Sequence, residues 1–200
     1  MSFRSTITPE EIERLEQADF KGEILVVDSL SEEYHDALTY LRTQKVLGFD
    51  TETKPSFHAN EKRNMVALLQ LSGENKAVLF RLTQIGMPAE LSSILADSNI
   101  IKIGAAIHDD IKGLQHYKKF DAAGFVDLQV LGKEWGVSEK SVRKMAAIIL
   151  NLRVSKSQQL SNWESQQLSH AQIQYAAIDA WVCYKMYMKL QEFPKKSINE

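Results

Sequence analysis

The chain has 200 residues, 44% of them apolar and 25% charged, with a formal net charge of −2. That length suits one domain with a full-sized core, the composition excludes disorder, and the near-neutral balance excludes a basic field spread over the whole surface. Cys183 is the only cysteine, which excludes an intramolecular disulfide and a cysteine cluster for zinc; no run reaches the roughly 18 apolar residues of a membrane span.

The amino terminus, MSFRSTITPEEIERL, is polar and has no apolar signal core, so a soluble, reducing, cytoplasmic setting is expected. Thr8-Pro9-Glu10-Glu11 reads as a helix start, with a Thr cap, Pro in the first position and acids in the first turn. Gly22 breaks that pattern and ILVVDS reads as a strand. SEEYHDALTYLRTQ follows with Tyr34, Ala37, Leu38 and Leu41 at helical spacing. Three strand-like runs come next, KVLGFDTE, MVALLQLS and KAVLFRL, the last two joined by a short polar link as in an antiparallel meander.

After Pro88 the pattern alternates. AELSSILAD is helical, NIIKIGA is a continuous apolar strand, DIKGLQHY is helical, and GFVDLQVL is a short strand entering a helix. SEKSVRKMAAIILNL is another helix, and a last one runs from Ser169 to Glu192, with Ser169 as its cap and Pro194 just past its end. Antiparallel strands followed by alternating helix and strand predict an α/β fold with a mixed central sheet and helices on both faces.

Polar side chains at three places stand out against these apolar elements. Asp50 and Glu52, two residues apart, project from one side of the KVLGFDTE strand. Either the strand is leaving the core with its acids in solvent, or a cation lies between two carboxylates that would otherwise repel each other. Tyr175 and Asp179, four residues apart, share one helix face; they are either a surface pair or, given the apolar AAIDAWV context, partly buried and in need of a partner. His108, Asp109 and Asp110 open a helix, where an acid can cap free N–H groups as well as bind metal. Spacing alone does not choose between Asp109 and Asp110, and one isolated His in an oxygen-rich set is a poor zinc signature. Asp127 reads as a helix cap. Lys140, Arg143, Lys144, Arg153 and Lys156 fall in a stretch without an acid and either line a track for a polyanion or form a solvated helix face. Phe57 and Trp163 are candidate base-stacking platforms, with core packing the alternative for each.

Taken together, three segments resemble a known family. LGFDTET is similar to the first exonuclease motif (Asp-x-Glu), IGAAIHDDIKGL to the second, and YAAIDAW to the third (Tyr-x-x-x-Asp). This is the pattern of the DEDDy-type 3′–5′ exonucleases, such as ribonuclease D and the Werner-syndrome exonuclease domain. VALLQLS, KSQQLSNW and LSHAQIQYAAIDA look particularly like the Werner type, and the resemblance covers roughly Gln44 to Leu190. It implies a ribonuclease H-like fold, nucleic acid as partner, and two Mg²⁺ or Mn²⁺ ions about 3.5–4 Å apart. By motif position Asp50, Glu52, Asp110 and Asp179 would be the metal-binding acids. Asp110 is preferred to Asp109 because the family acid is followed four residues later by a Leu-like position, here Leu114. Tyr175 would orient the attacking water.

The resemblance further implies release of nucleoside 5′-monophosphates from DNA or RNA 3′ ends. The other reading is a catalytically idle nucleic-acid-binding module on the same fold, against which the complete five-residue set argues. The resemblance places the exonuclease domain at residues 44–192, an extra helix–strand–helix packing on it at residues 1–43, and a tail at 193–200. No helicase or helicase-and-RNase-D C-terminal module follows the motifs, so targeting of that kind is not expected.

Overall fold

The computed structural model of the chain describes residues 3–56 and 64–196. The short helix α1 (Pro9–Glu13) starts as its sequence predicts: Thr8 Oγ1 accepts from the Glu11 N–H, and the Glu11 carboxylate accepts from the Thr8 N–H. Strands β1 (Glu16–Gln17) and β2 (Glu23–Val27) and helix α2 (Glu32–Thr43) follow, and then β3 (Val46–Thr53), β4 (Val66–Ser72) and β5 (Lys76–Arg81). Helices α3 (Leu82–Ile85) and α4 (Ala89–Leu95) lead to β6 (Ile101–Gly104), α5 (His108–Tyr117), β7 (Phe125–Asp127) and α6 (Leu128–Leu131). A single 3₁₀ turn (Gly132–Trp135) precedes α7 (Val142–Leu150), the two-residue β8 (Leu152–Arg153) and the long α8 (His170–Gln191).

Six strands form one mixed sheet in the order β2-β5-β4-β3-β6-β7. β3, β4 and β5 are the antiparallel meander, while β6 and β7 add in parallel beside β3 and β2 adds in parallel beside β5. Alternation along β3 sorts its residues between two layers. Leu47 and Phe49 face a core closed by α2, α4 and α5, which contribute Leu38 and Leu41, Ile94 and Leu95, and Leu114. Gly48, Asp50 and Glu52 face the other way, toward α8. On that second face α7 and α8 pack Met145, Ile149, Val182 and Met186 around Ile103. In the middle of the sheet Leu68, Leu69 and Leu71 of β4 are fully buried, each worth about 1.5–3 kcal/mol of apolar transfer. The fold expected from the order of elements is thus the fold found.

The segment before Gln44 is built into this architecture. β2 is the edge strand, in register with β5 from Glu23↔Lys76 to Val27↔Phe80, and Tyr34, Ala37, Leu38 and Leu41 of α2 are buried in the first core. Further out, β1 pairs in parallel with β8, and the Glu13 carboxylate binds both Arg143 and Arg153. At the other end Phe193 accepts from Trp135 Nε1 at 2.9 Å and meets Phe3 edge-on at 5.1 Å.

Two close approaches set the position of α8. A Cβ on Gly48 would lie 1.8 Å from the Ala180 carbonyl oxygen, so only glycine lets the helix backbone rest on β3. The helix is fixed at its start by a capping box in which Ser169 and Gln172 satisfy each other's backbone N–H groups.

Candidate active site

The carboxyl end of β3, the first turns of α8 and the first turn of α5 converge at one edge of the sheet, where ligand sites of α/β folds gather. Asp50 and Glu52 leave β3 on the same side, and Asp179 reaches them from α8. One carboxylate oxygen from each of the three lies within 4.8 Å of the others. Asp179 is buried, while Asp50 and Glu52 keep partial access to solvent.

Asp110 stands at the rim of this triplet. Its Oδ1 accepts from the Thr51 hydroxyl at 2.5 Å, and its charge acts on both Asp50 and Glu52. The structure therefore chooses between the two adjacent acids of α5: Asp110 turns to the site, and Asp109 is exposed, as is His108. Asp127 is the expected cap of α6, accepting from the Gln129 N–H at 2.8 Å. The same oxygen accepts from the Ala106 N–H at 3.1 Å. Ala106 has φ 59°, a left-handed conformation costly for a residue with a side chain, and that bond helps hold the turn that aims α5 at the site.

Crowding acids in a half-dry pocket shifts their protonation. Burial, then the charges of Asp179 and Asp110, hold the Asp50 carboxyl well above the usual carboxylate range. Burial and the same neighbours, with Asp50 first among them, push Glu52 up to about 10. Burial raises Asp179 to about 7 against an opposing hydrogen bond from Tyr175. The Tyr175 phenol is pushed far up, first by burial and then by Asp179 and Glu52, so it keeps its proton and donates a hydrogen bond to Asp179. Taken by itself, then, this pocket favours protons on its acids, which is the signature of carboxylates that lack a counter-charge. The donors are all oxygen, the set that suits hard divalent cations rather than zinc.

The remaining sequence expectations divide. Arg143 and Lys156 line the same depression as the acids, together with Ser141, Ser155 and Gln159. Of these, only Lys156 and Arg143 carried a sequence signal, and Thr51 carried none. The five basic residues do not form one free track. Arg143 and Arg153 are both paired with Glu13, Lys144 is paired with Glu139 at 3.1 Å, and Lys140 is exposed outside the depression. Acids from outside the stretch neutralise three of its five cations. Trp163 is not a stacking platform: it is fully buried, with its ring centroid 6.0 Å from that of Tyr175, and supports the tyrosine from behind. Phe57 lies outside the described residues.

Residues 27–193 match the sequence profile of the 3′–5′ exonuclease domain. The chain belongs to that family. It is 36% identical over 155 residues to exonuclease 3′-5′ domain-containing protein 2 of Drosophila melanogaster, a match covering 76% of this chain and 26% of that protein. A 3′-5′ exonuclease of Arabidopsis thaliana is 28% identical over 156 residues, 74% of this chain and 53% of its own length. The chain thus spans from about a quarter to about half of these curated relatives. Among solved structures, the Aedes aegypti Nibbler EXO domain superposes with a TM-score of 0.75 at 22% identity, over 88% of this chain and 91% of that one. Escherichia coli RNase D superposes with a TM-score of 0.73 at 20% identity, over 86% of this chain and 44% of that one. These superpositions are of fold, and the fold is the ribonuclease H-like one that the motif resemblance implies.

Proposed function

We propose that this domain hydrolyses nucleic acid from the 3′ end, one nucleotide at a time, releasing nucleoside 5′-monophosphates with the help of two divalent cations, Mg²⁺ or Mn²⁺. One observation carries this reading: the carboxylates of Asp50, Glu52 and Asp179 are held within 4.8 Å of one another beside a tyrosine that keeps its proton. Three acids so placed repel one another and gain nothing for the fold by it, so a cation site is the arrangement that makes sense of them. Asp50, Glu52 and Asp179 would hold the ions, with Asp110 completing the set from the rim. Bound there, such ions supply the positive charge that lowers the pKa of water and offsets charge on the leaving 3′ oxygen.

The chain's own groups do the rest. The Tyr175 hydroxyl keeps its proton and donates a hydrogen bond to Asp179, which leaves its oxygen lone pairs free to accept from a water and fix its direction. A phenol pushed so far up is no base, so Tyr175 orients the nucleophile and does not deprotonate it. Trp163, with Ala67 and Leu68 of β4 in the same cluster, backs the tyrosine ring. Lys156, and Arg143 from its pairing with Glu13, line the wall of the same depression and would meet the non-bridging oxygens of a phosphodiester.

The test uses 5′-labelled single-stranded DNA and RNA with Mg²⁺, Mn²⁺ or EDTA. A ladder descending from the 3′ end, present with either cation and absent in EDTA, is the expected result. Early labelled mononucleotide, or cutting of circular single strands, would show 5′ or internal attack and overturn the reading.

A further inference from the structure

Helix α8 shows the solvent a longer stripe than the acid site uses. Ala171, Gln174 and Ile178, and Ala171, Tyr175 and Asp179, lie three or four residues apart in turn and so share one side of the helix. Along that side run three depressions with common walls. The acid-lined one shares Ser155, Tyr175 and Asp179 with the next. That one in turn shares Gln17, Gln174 and Ile178 with a third, which ends at Asp19, Lys21 and His170. Together they make one trough. From Asp179 back to His170 the helix rises about 13 Å at roughly 1.5 Å per residue, the length of about two to four nucleotides of a single strand.

The outer wall of the trough, Gln17 to Gly22, lies before residue 27, where the family match begins. It is an anchored wall. Gln17 pairs with Arg153 through β1 and β8, the Ala18 N–H donates to the Arg153 carbonyl at 2.8 Å, and Phe20 is buried with its ring 5.7 Å from that of Trp181. Beyond the wall, the Glu23 N–H donates to the Asn75 carbonyl at 2.9 Å.

The chemistry of the lining changes along its length. Beside the acids it is charged. In the middle it consists of amides and hydroxyls (Gln17, Ser155, Ser157, Gln174) among the apolar surfaces of Val154 and Ile178, which suits sugars and bases and not bare phosphate. At the far end Lys21, whose side chain is 83% exposed, and His170 offer donors to an anion. The pairing of Lys21 with Asp19 is a surface ion pair of the kind worth ~0–1 kcal/mol, so a phosphate can displace it. We propose that this trough holds the substrate strand on the 5′ side of the scissile bond. Gln17 and Gln174 contact sugar and base, and Lys21 contacts a backbone phosphate about two to four nucleotides upstream. The proposal rests on the exonuclease reading for the identity of the strand but not for its binding.

Two measurements on the whole chain test it. The first is fluorescence anisotropy in EDTA with 5′-labelled oligonucleotides of two to eight nucleotides. The second is kcat/KM on the same series with Mn²⁺. Affinity and kcat/KM should each rise at least tenfold from dinucleotide to a plateau at about four or five nucleotides. Lys21→Glu should cut the plateau-to-dinucleotide ratio at least fivefold, and Gln174→Ala should cut the trinucleotide-to-dinucleotide ratio. Lys119→Glu makes the same charge change at an exposed lysine that lines none of the three depressions, and should leave every ratio intact. Length-independent behaviour, equal loss at all lengths in Lys21→Glu, or an equal effect of Lys119→Glu overturns the trough. Cleavage without length dependence would sink the trough and keep the exonuclease reading. Length-dependent binding that responds to Lys21→Glu, without cleavage at any length, would keep the trough and sink the exonuclease reading.

Discussion

Neutralising one carboxylate of the site should make the metal-free protein more stable. Asp179→Asn is the cleanest perturbation, because Asn keeps the size of Asp and its Oδ1 still accepts from the Tyr175 hydroxyl. The Asp179 carboxyl rises from an ordinary 3.8 to about 7 in the folded chain because it is buried. A carboxyl raised on folding contributes stability that is fully present below its unfolded value and is lost as pH climbs through the folded one. Between pH 4 and 7, then, the wild-type protein without cations loses stability at this position, and above pH 7 the loss is complete. Three pKa units correspond to roughly 4 kcal/mol at 1.36 kcal/mol each, which is an upper bound. With about half of it realised, and about 2–4 °C per kcal/mol for a domain of this size, Asp179→Asn should melt on the order of 4–8 °C higher at pH 8 in EDTA. At pH 5 the unfolded chain already ionises at this position while the folded one does not, so roughly a third of the gap should be present there, and the two proteins should melt together only below about pH 4. Circular-dichroism melts at pH 5, 6, 7 and 8 in EDTA, repeated with Mn²⁺, make the comparison. With Mn²⁺ the wild type should gain and the variant should gain little, which reverses the order. A variant that melts at or below wild type at pH 8 in EDTA would refute the idea that these acids are crowded and lack a counter-charge.

Other substitutions probe separate parts of the argument. Tyr175→Phe should lower turnover on the order of 10²-fold while the Mn²⁺-induced rise in melting temperature stays near wild type, since the hydroxyl positions water and not the ion; near wild-type turnover would remove the tyrosine from the mechanism. Lys102 is fully buried and donates to the carbonyls of Ile94 at 3.3 Å and Asp97 at 2.7 Å, and burial lowers its pKa to about 8. Its charged form is therefore disfavoured on folding, and stability should rise between pH 8 and about 10.5 by up to ~3 kcal/mol, a slope that urea titrations should find missing in Lys102→Met. Gly48→Ala should destabilise by more than 2 kcal/mol, since a Cβ there meets the Ala180 carbonyl, and should depress activity in whatever protein still folds; a neutral result by urea titration would show that α8 can lift off β3 freely.

What the sequence made legible was what is local. Two residues along a strand and four along a helix are geometric facts, so the pairs Asp50–Glu52 and Tyr175–Asp179 could be placed on common faces before any fold was known. The meander and the alternating second half were readable for the same reason. What was not legible depends on partners far along the chain. The basic stretch looked unpaired because Glu13, which binds both Arg143 and Arg153, lies 130 and 140 residues away from them. Trp163 could be read as a stacking platform or as a core residue, and what decides for the core, Ala67, Leu68 and Ala176 closing over it, comes from other elements. β1 and β8 have two residues each, too few to carry a period, and the choice of Asp110 over Asp109 from geometry needed the Thr51 hydroxyl, which comes from another strand.

The site and the fold pull in opposite directions, and the way the chain reconciles them explains which residues surround the acids. Three carboxylates at close range oppose folding, so the elements that carry them have to be held by contacts that do not involve the acids. β3 is gripped from its other face, where Leu47 and Phe49 are buried in a core that includes the aromatic pair Phe49–Phe125, with ring centroids 5.1 Å apart. α8 is gripped along Ala176, Ala177, Ala180 and Cys183, whose small side chains let its backbone come down onto Gly48 and the strand beneath. A larger residue in that alanine stripe would lift the helix by the width of a methyl group and carry Asp179 away from Asp50. The small-residue face of α8 and the single glycine of β3 are therefore as much a part of the proposed cation site as the carboxylates, because they set the spacing at which those carboxylates could share an ion.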